Sequence, residues 1–136
     1  MKVKLDKGAF AIERAHEADA GYDIRTPIPI YLPAHGSAIV DSGVHVEIPK
    51  NYVGILKSKS GLNVKNDIIG TGTIDSGFNG SIRVKLYNLG NKDHYFNAGD
   101  KIIQIVFYPI YTPEIEYVDE LDDTERGANG FGSTGV

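Results

Sequence analysis

The sequence predicts an all-β domain of the sandwich or barrel type, with at most one short helix. Three observations carry this. Apolar and polar residues alternate with period two over several short runs. Glycines (16) and prolines (6) interrupt those runs at short intervals, and helical periodicity is nearly absent. At 136 residues, 41% of them apolar, the chain is long enough to bury one core and amounts to one domain.

Taken in order, Val3-Lys4-Leu5 and Ile28–Leu32 read as the first strands. Val44-His45-Val46-Glu47-Ile48 alternates and is stopped by Pro49, and Val53–Leu56 follows. A turn or two of helix fits after Ser60, whose hydroxyl can cap it. Glycines at 70, 72, 77 and 80 suggest a hairpin. Its returning limb, Ile82-Arg83-Val84-Lys85-Leu86-Tyr87, alternates cleanly until Asn88-Leu89-Gly90. Gly99-Asp100 reads as a turn feeding a buried strand over Ile102–Tyr108, and Ile115–Val118 reads as a last strand. From Thr124 to Val136 the chain is TERGANGFGSTGV. This Gly-rich arm cannot hold a packed conformation by itself, so residues 1–123 are read as the body and 124–136 as a flexible arm.

Composition removes several classes of function. There is no Cys, so disulfides and thiolate metal sites are excluded and a reducing compartment is the simpler reading. Met1–Phe10 (MKVKLDKGAF) has no apolar leader core, and the longest apolar stretch, Ile102–Tyr111, is broken by Gln104 and Pro109. It falls short of the roughly 18 residues a membrane span needs. A soluble cytoplasmic protein without a membrane partner is expected. A formal net charge of −4 argues against nucleic acid but leaves a small phosphorylated ligand open, given local positive charge or a metal. The four histidines (16, 35, 45 and 94) lack paired ligand spacing and are read as structural or surface residues.

Five segments could carry chemistry, although taken singly each of the first four also fits an ordinary turn or strand. Ala20-Gly21-Tyr22-Asp23 enters a strand. Lys57-Ser58-Lys59-Ser60-Gly61-Leu62 places two lysines, hydroxyls and a glycine at a helix start, where phosphate can bind. Gly72-Thr73-Ile74-Asp75-Ser76-Gly77-Phe78-Asn79-Gly80 could turn a carboxylate and an aromatic ring toward one pocket, beside a backbone that a ligand can approach closely. Gly99-Asp100-Lys101-Ile102-Ile103-Gln104 sets a glutamine within an apolar strand, where it wants a hydrogen-bond partner. The arm pairs an Arg with a Phe, glycines and two adjacent hydroxyls, the parts needed to clamp an aromatic base and a terminal phosphate.

In this order the five segments resemble the motifs of the homotrimeric dUTP diphosphatase (dUTPase) family, whose usual forms are close to AGYDL, RSGL, G-x-I-D-x-x-Y-x-G, GDRIAQ and RGxGGFGSTG. The matches are residues 20–24, 59–62, 72–80, 99–104 and 126–135, so the resemblance spans nearly the whole chain. It implies a jelly-roll, β-barrel-like fold, a homotrimer with shared active sites, and hydrolysis of dUTP to dUMP and pyrophosphate. This limits dUTP and supplies dUMP for thymidylate synthesis. It implies Asp75 as the base for a water that attacks the α-phosphorus, and a Mg²⁺ cofactor on the three phosphates, with Asp23 touching a metal-bound water. Phosphate contacts carry over to Lys59, Ser60, Gly61 and Gln104, with Arg126, Gly132, Ser133 and Thr134 closing over the far end. Uracil would be read by the backbone of Gly72, Thr73 and Ile74, with Arg83 on the returning strand. Phe131 would stack on the base, and Phe78 would pack on the deoxyribose and crowd out a 2′-hydroxyl.

Three positions depart from the family pattern: Lys59 stands in place of Arg, Phe78 of Tyr and Asn79 of Arg. The charge at 59 is kept but the planar fork is lost. The alternatives are a dCTP deaminase on the same fold, which would use a Glu base, and a regulatory or binding protein, which would have no need of Asp75.

Overall fold

The computed structural model describes residues 1–135. Ten strands and one short helix follow in the order β1 (Val3–Leu5), β2 (Tyr22–Arg25), β3 (Ile30–Leu32), β4 (Ser37–Asp41), β5 (Val44–Val46), β6 (Tyr52–Lys57), α1 (Ser60–Asn66), β7 (Ile68–Ile74), β8 (Arg83–Asn88), β9 (His94–Phe96) and β10 (Lys101–Pro109). All pairings are antiparallel. Six strands form one sheet in the order β2-β10-β6-β7-β8-β4, while β1-β5 and β3-β9 are two-stranded ribbons. The large sheet curls, and buried residues from it and from both ribbons merge into one apolar core. The predicted all-β fold with one short helix is what forms.

Local sequence explains most elements. In β8 the alternation is strict: Val84, Leu86 and Asn88 face inward and Arg83, Lys85 and Tyr87 face out. Asn88, though polar, is fully buried because its amide donates to the Leu32 and Lys92 carbonyls (3.1 and 2.8 Å) and accepts from the Gly90 N–H (3.0 Å). In β10, Ile102 and Ile103 are consecutive yet both buried. A register shift between Lys101 and Ile103 inserts Ile102 as an extra residue against β2, so the alternation is broken by a bulge. Beyond it the pairing Gln104↔Asp23 is in phase, which sets two polar residues side by side in an otherwise apolar sheet.

Several predicted boundaries shift. Ile28 stays outside β3 because the Thr26 hydroxyl holds the Ile28 carbonyl in a turn (2.6 Å), between two prolines that cannot donate to a ladder. Ser60 is not the helix cap. Lys59 takes the N-cap position with extended backbone, no side chain caps it, and the helix ends at Asp67, which adopts a left-handed conformation. Gly70 and Gly72 lie within β7, and the turn itself is at residues 75–80. Ile115–Val118 forms no strand. Its side chains are exposed and no neighbouring strand pairs with it. Regular structure ends at Pro109, and residues 110–135 run exposed along the outside.

Candidate functional site

Two of the clefts that the strand layout builds collect predicted site residues. The first opens where β7 and β8 part. These strands pair only over Ile68↔Asn88, Ile69↔Tyr87 and Gly70↔Leu86, whereas β7 continues along β6 from Thr71↔Lys57 to Ile74↔Gly54. The β8-facing edge of Thr71–Ile74 is therefore without a strand partner, and backbone donors and acceptors along it are free for a planar ligand. Thr73, Ile74, Asp75, Phe78, Ser81 and Arg83 line the gap, a cleft of about 500 Å³.

Asp75 begins the connecting loop, and its carbonyl accepts from the Phe78 N–H (3.0 Å), which closes a tight turn. The Phe78 ring lies over Gly80. A Cβ there would come within 2.6 Å of the ring, so only glycine lets Phe78 fold back across the mouth of the cleft. Asp41, on β4, adds a second carboxylate. It accepts from the Ser81 hydroxyl and the Gly43 N–H, which together hold its carboxyl below the usual range, and Arg83 lies 3.7 Å away.

The second cleft, about 420 Å³, lies between the start of β2 and the start of α1. It is lined by Gly21, Asp23, Lys59, Ser60, Gly61 and Gln104, with His16 and Asp19 on its rim. Asp23 is its buried anchor. Lys59 bonds one carboxylate oxygen and Lys101 the other (2.7 Å). Burial pushes the Asp23 carboxyl up, but the Lys101 and Lys59 hydrogen bonds and charges outweigh it and hold it below the usual range. Gln104 donates to the Ser58 carbonyl (3.2 Å). Its other amide atom, Oε1, sits against Gly21, where a Cβ would meet it at 2.1 Å. The Lys59 ammonium, the Ser60 hydroxyl and an uncapped helix start suit this cleft to a polyanion.

All the predicted site residues but Gly72 fall into three groups. Thr73, Ile74, Asp75, Phe78 and Arg83 share the first cleft, and Asp23, Lys59, Ser60, Gly61 and Gln104 share the second. Arg126, Phe131, Gly132, Ser133 and Thr134 are exposed on the arm. Phe131 is fully solvated, and among the described residues Arg126 donates only to the Asn129 carbonyl (2.8 Å). Gly72 lines neither cleft; it lies against Leu56. The two clefts share no residue. Asp75 and Lys59 lie beyond opposite ends of the β6–β7 pairing, at least four strand residues or about 13 Å apart. Sequence reasoning missed Lys101, Asp41 and Ser81. Lys101 sits inside a quoted motif and could have been found there; Asp41 and Ser81 carry no local signal.

Comparison with known proteins gives the family. A family model described as dUTPase matches residues 8–135. The chain is 41% identical over 134 residues to the mitochondrial deoxyuridine 5'-triphosphate nucleotidohydrolase of Dictyostelium discoideum, covering 98% of this chain and 75% of that protein. Among solved structures it is similar to a point mutant of the Staphylococcus bacteriophage 80alpha dUTPase with dUpNHpp: TM-score 0.92, 33% identity, 99% of this chain and 98% of that one. It is also similar to a mutant dUTPase from phage phi11 of S. aureus whose structure describes a coordinated structural Mg(II) ion: TM-score 0.81, 31% identity, 88% and 96% coverage.

Proposed function

The chain belongs to the dUTPase family, and on that premise we propose how its residues divide the hydrolysis of dUTP to dUMP and pyrophosphate. The observation that carries the assignment is the free β7 edge beside Asp75 and Phe78, a slot for a planar base with a carboxylate at its end.

Uracil pairs with backbone groups of Thr73 and Ile74, where the thymine methyl has no room and the cytosine edge mismatches. Phe78 packs on the deoxyribose. Asp75 orients a water and accepts its proton as the water oxygen attacks the α-phosphorus. The bond from that phosphorus to the bridging oxygen of the β-phosphate breaks, and pyrophosphate leaves with the bonding electrons. Lys59, Ser60, Gly61 and Gln104 hold the phosphates, Arg126, Gly132, Ser133 and Thr134 close over them, and Phe131 stacks on the base.

The donor set suits a Mg²⁺ held chiefly by phosphate oxygens and water. Among the described residues no three His, Asp or Glu side chains cluster, and both oxygens of Asp23 already bond lysines, so Asp23 would reach the ion through a water. When bound, the ion offsets the phosphate charge and keeps the triphosphate folded.

One chain keeps its two clefts apart and its arm in solvent, and this supports a homotrimer whose sites combine residues of different copies. The exposed Ile115, Tyr117 and Val118, in the segment that leads to the arm, suit a chain end that lies on a neighbouring copy. Light scattering is expected to give three times the 14.8 kDa of one chain; a fully active monomer would refute shared sites. Residues 1–123 are the catalytic body and 124–136 the lid. The compartment we assign is the cytoplasm, which fits a chain without cysteine.

The activity is tested by pyrophosphate release from dUTP with Mg²⁺, beside dCTP assayed for ammonia. Ammonia from dCTP would replace this reading with a deaminase. Gly21→Ala checks the phosphate cleft. The new methyl displaces Gln104, so kcat/KM for dUTP is expected to fall about tenfold to a hundredfold with the fold intact. Unchanged kinetics would remove Gln104 from the phosphate contacts.

A further inference from the structure

His45 lies on β5, outside both clefts, yet its ring joins two parts of the fold. Nε2 is 2.9 Å from Asp6 Oδ2, in the segment after β1, and Nδ1 is 2.9 Å from the Asn79 carbonyl oxygen, in the loop between β7 and β8. Both partners are acceptors. A neutral imidazole carries one N–H and can satisfy only one of them, whereas the imidazolium donates to both. Resting on the function proposed above, we infer that His45 is a positioning residue for the base cleft: as an imidazolium it ties the Asn79 carbonyl, and with it the neighbouring Phe78, to the Asp6 carboxylate.

The loop has few other restraints at this point. Ser81 bonds Asp41, and Ile82 exchanges hydrogen bonds with the segment Ser42–Val44, so the limb beyond Gly80 is fixed. The Phe78 N–H closes the turn on Asp75. Among the described residues, the bond to His45 is the one that anchors the stretch between them. Asp6 is itself seated, since its N–H donates to the Gly43 carbonyl (2.9 Å).

The charges around the ring are few. From β1, Lys4 stands opposite His45 in register and lies 3.4 Å from Asp6; just past β5, Glu47 pairs with Lys2. Residues 76–82 of the loop carry no charged side chain. The Asp6 carboxylate and then the Asn79 carbonyl raise the His45 pKa above its ordinary value, against a smaller opposing effect of burial. The tether is therefore complete at and below the ordinary value of about 6.5 and is lost as pH rises through the raised one. On deprotonation the remaining proton stays with the carboxylate, the stronger acceptor, and the bond to Asn79 is the one released.

The test compares wild type with His45→Gln and Asp6→Asn, measuring KM and kcat for dUTP with saturating Mg²⁺ from pH 6 to 9. The terminal phosphate of dUTP titrates at about pH 6, so the reading is the ratio of variant to wild type, in which the substrate's own titration cancels. For His45→Gln the KM ratio is expected to be about threefold to tenfold at low pH and to fall toward unity at high pH, the effect of one hydrogen bond. The kcat ratio should stay near one. Asp6→Asn should move the wild-type KM step to lower pH, and since Asp6 is exposed this variant carries the test even if His45→Gln fails to fold. A KM ratio independent of pH, or a step unmoved by Asp6→Asn, overturns the tether. Absence of dUTP hydrolysis by wild type would overturn the function; the tether is then read from the Kd of dUpNHpp over the same pH range, where a variant-to-wild-type ratio independent of pH overturns it.

Discussion

Replacing Asp75 with Asn is expected to reduce turnover of dUTP by about a thousandfold while leaving nucleotide binding within a fewfold of wild type. Asn has nearly the same shape and can keep the same place at the head of the loop, where the backbone carbonyl of residue 75 accepts from the Phe78 N–H. What it loses is the capacity to take a proton from the attacking water. General base catalysis by a positioned group contributes about a hundredfold to ten-thousandfold, so the loss should lie within that interval. The cleft beside Asp75 is built from the free edge of β7, Phe78 and Arg83, none of which this exchange touches. Binding of dUpNHpp, followed by calorimetry, reports on that cleft independently of turnover. Retention of more than a tenth of wild-type turnover would mean that the water is activated elsewhere, and the Asp41 carboxylate in the same cleft would be the next residue to test.

How much of this was legible in the sequence differs between elements, for physical reasons. The strand β8 could be read because one of its faces is buried and the other solvated, which writes period two directly into the residues. In β10 the period fails, since the neighbours Ile105 and Val106, on opposite faces, are both buried and a bulge inserts Ile102. Ile115–Val118 shows the converse: it has the alternation of a strand, but a strand also needs a partner, and its own chain offers none. The functional segments were legible as motifs because each chemistry needs particular side chains at short spacing. Their grouping was not, because it depends on which strands pair. That Lys59 joins Gln104 and Asp23, while Asp75 joins Arg83, follows from β10 lying between β2 and β6 and from β7 parting from β8. Lys101 was overlooked for a related reason. Its bond to Asp23 spans 78 positions of chain and exists only through the β2–β10 register.

Deletion of residues 124–136 is expected to lower kcat/KM for dUTP by about a hundredfold or more, with the thermal transition of the body unchanged. A charge-assisted contact from an arginine is worth about 1.5–3 kcal/mol and an aromatic stack on a base about 1–3 kcal/mol, so losing both Arg126 and Phe131 removes several kcal/mol from the closed complex. Stability should not follow, because the arm makes its hydrogen bonds within itself, from Gly127 to Thr124 and from Ser133 to Gly130, and its side chains are exposed. A truncated protein with normal kinetics would remove the lid from the mechanism. The same variant also tests how a site is shared. If the arm over a given cleft comes from a different copy than its Asp75, chains lacking the arm and full-length chains carrying Asp75→Asn should complement one another. Unfolded together and refolded as mixed assemblies, they would form some sites that take Asp75 from the truncated chain and the arm from the full-length one, and activity would reappear from two inactive proteins. If arm and base belong to the same chain, every mixed site lacks one of them and the mixture stays inactive. The solvent-exposed Phe131, which lines neither cleft of its own chain, favours the first outcome.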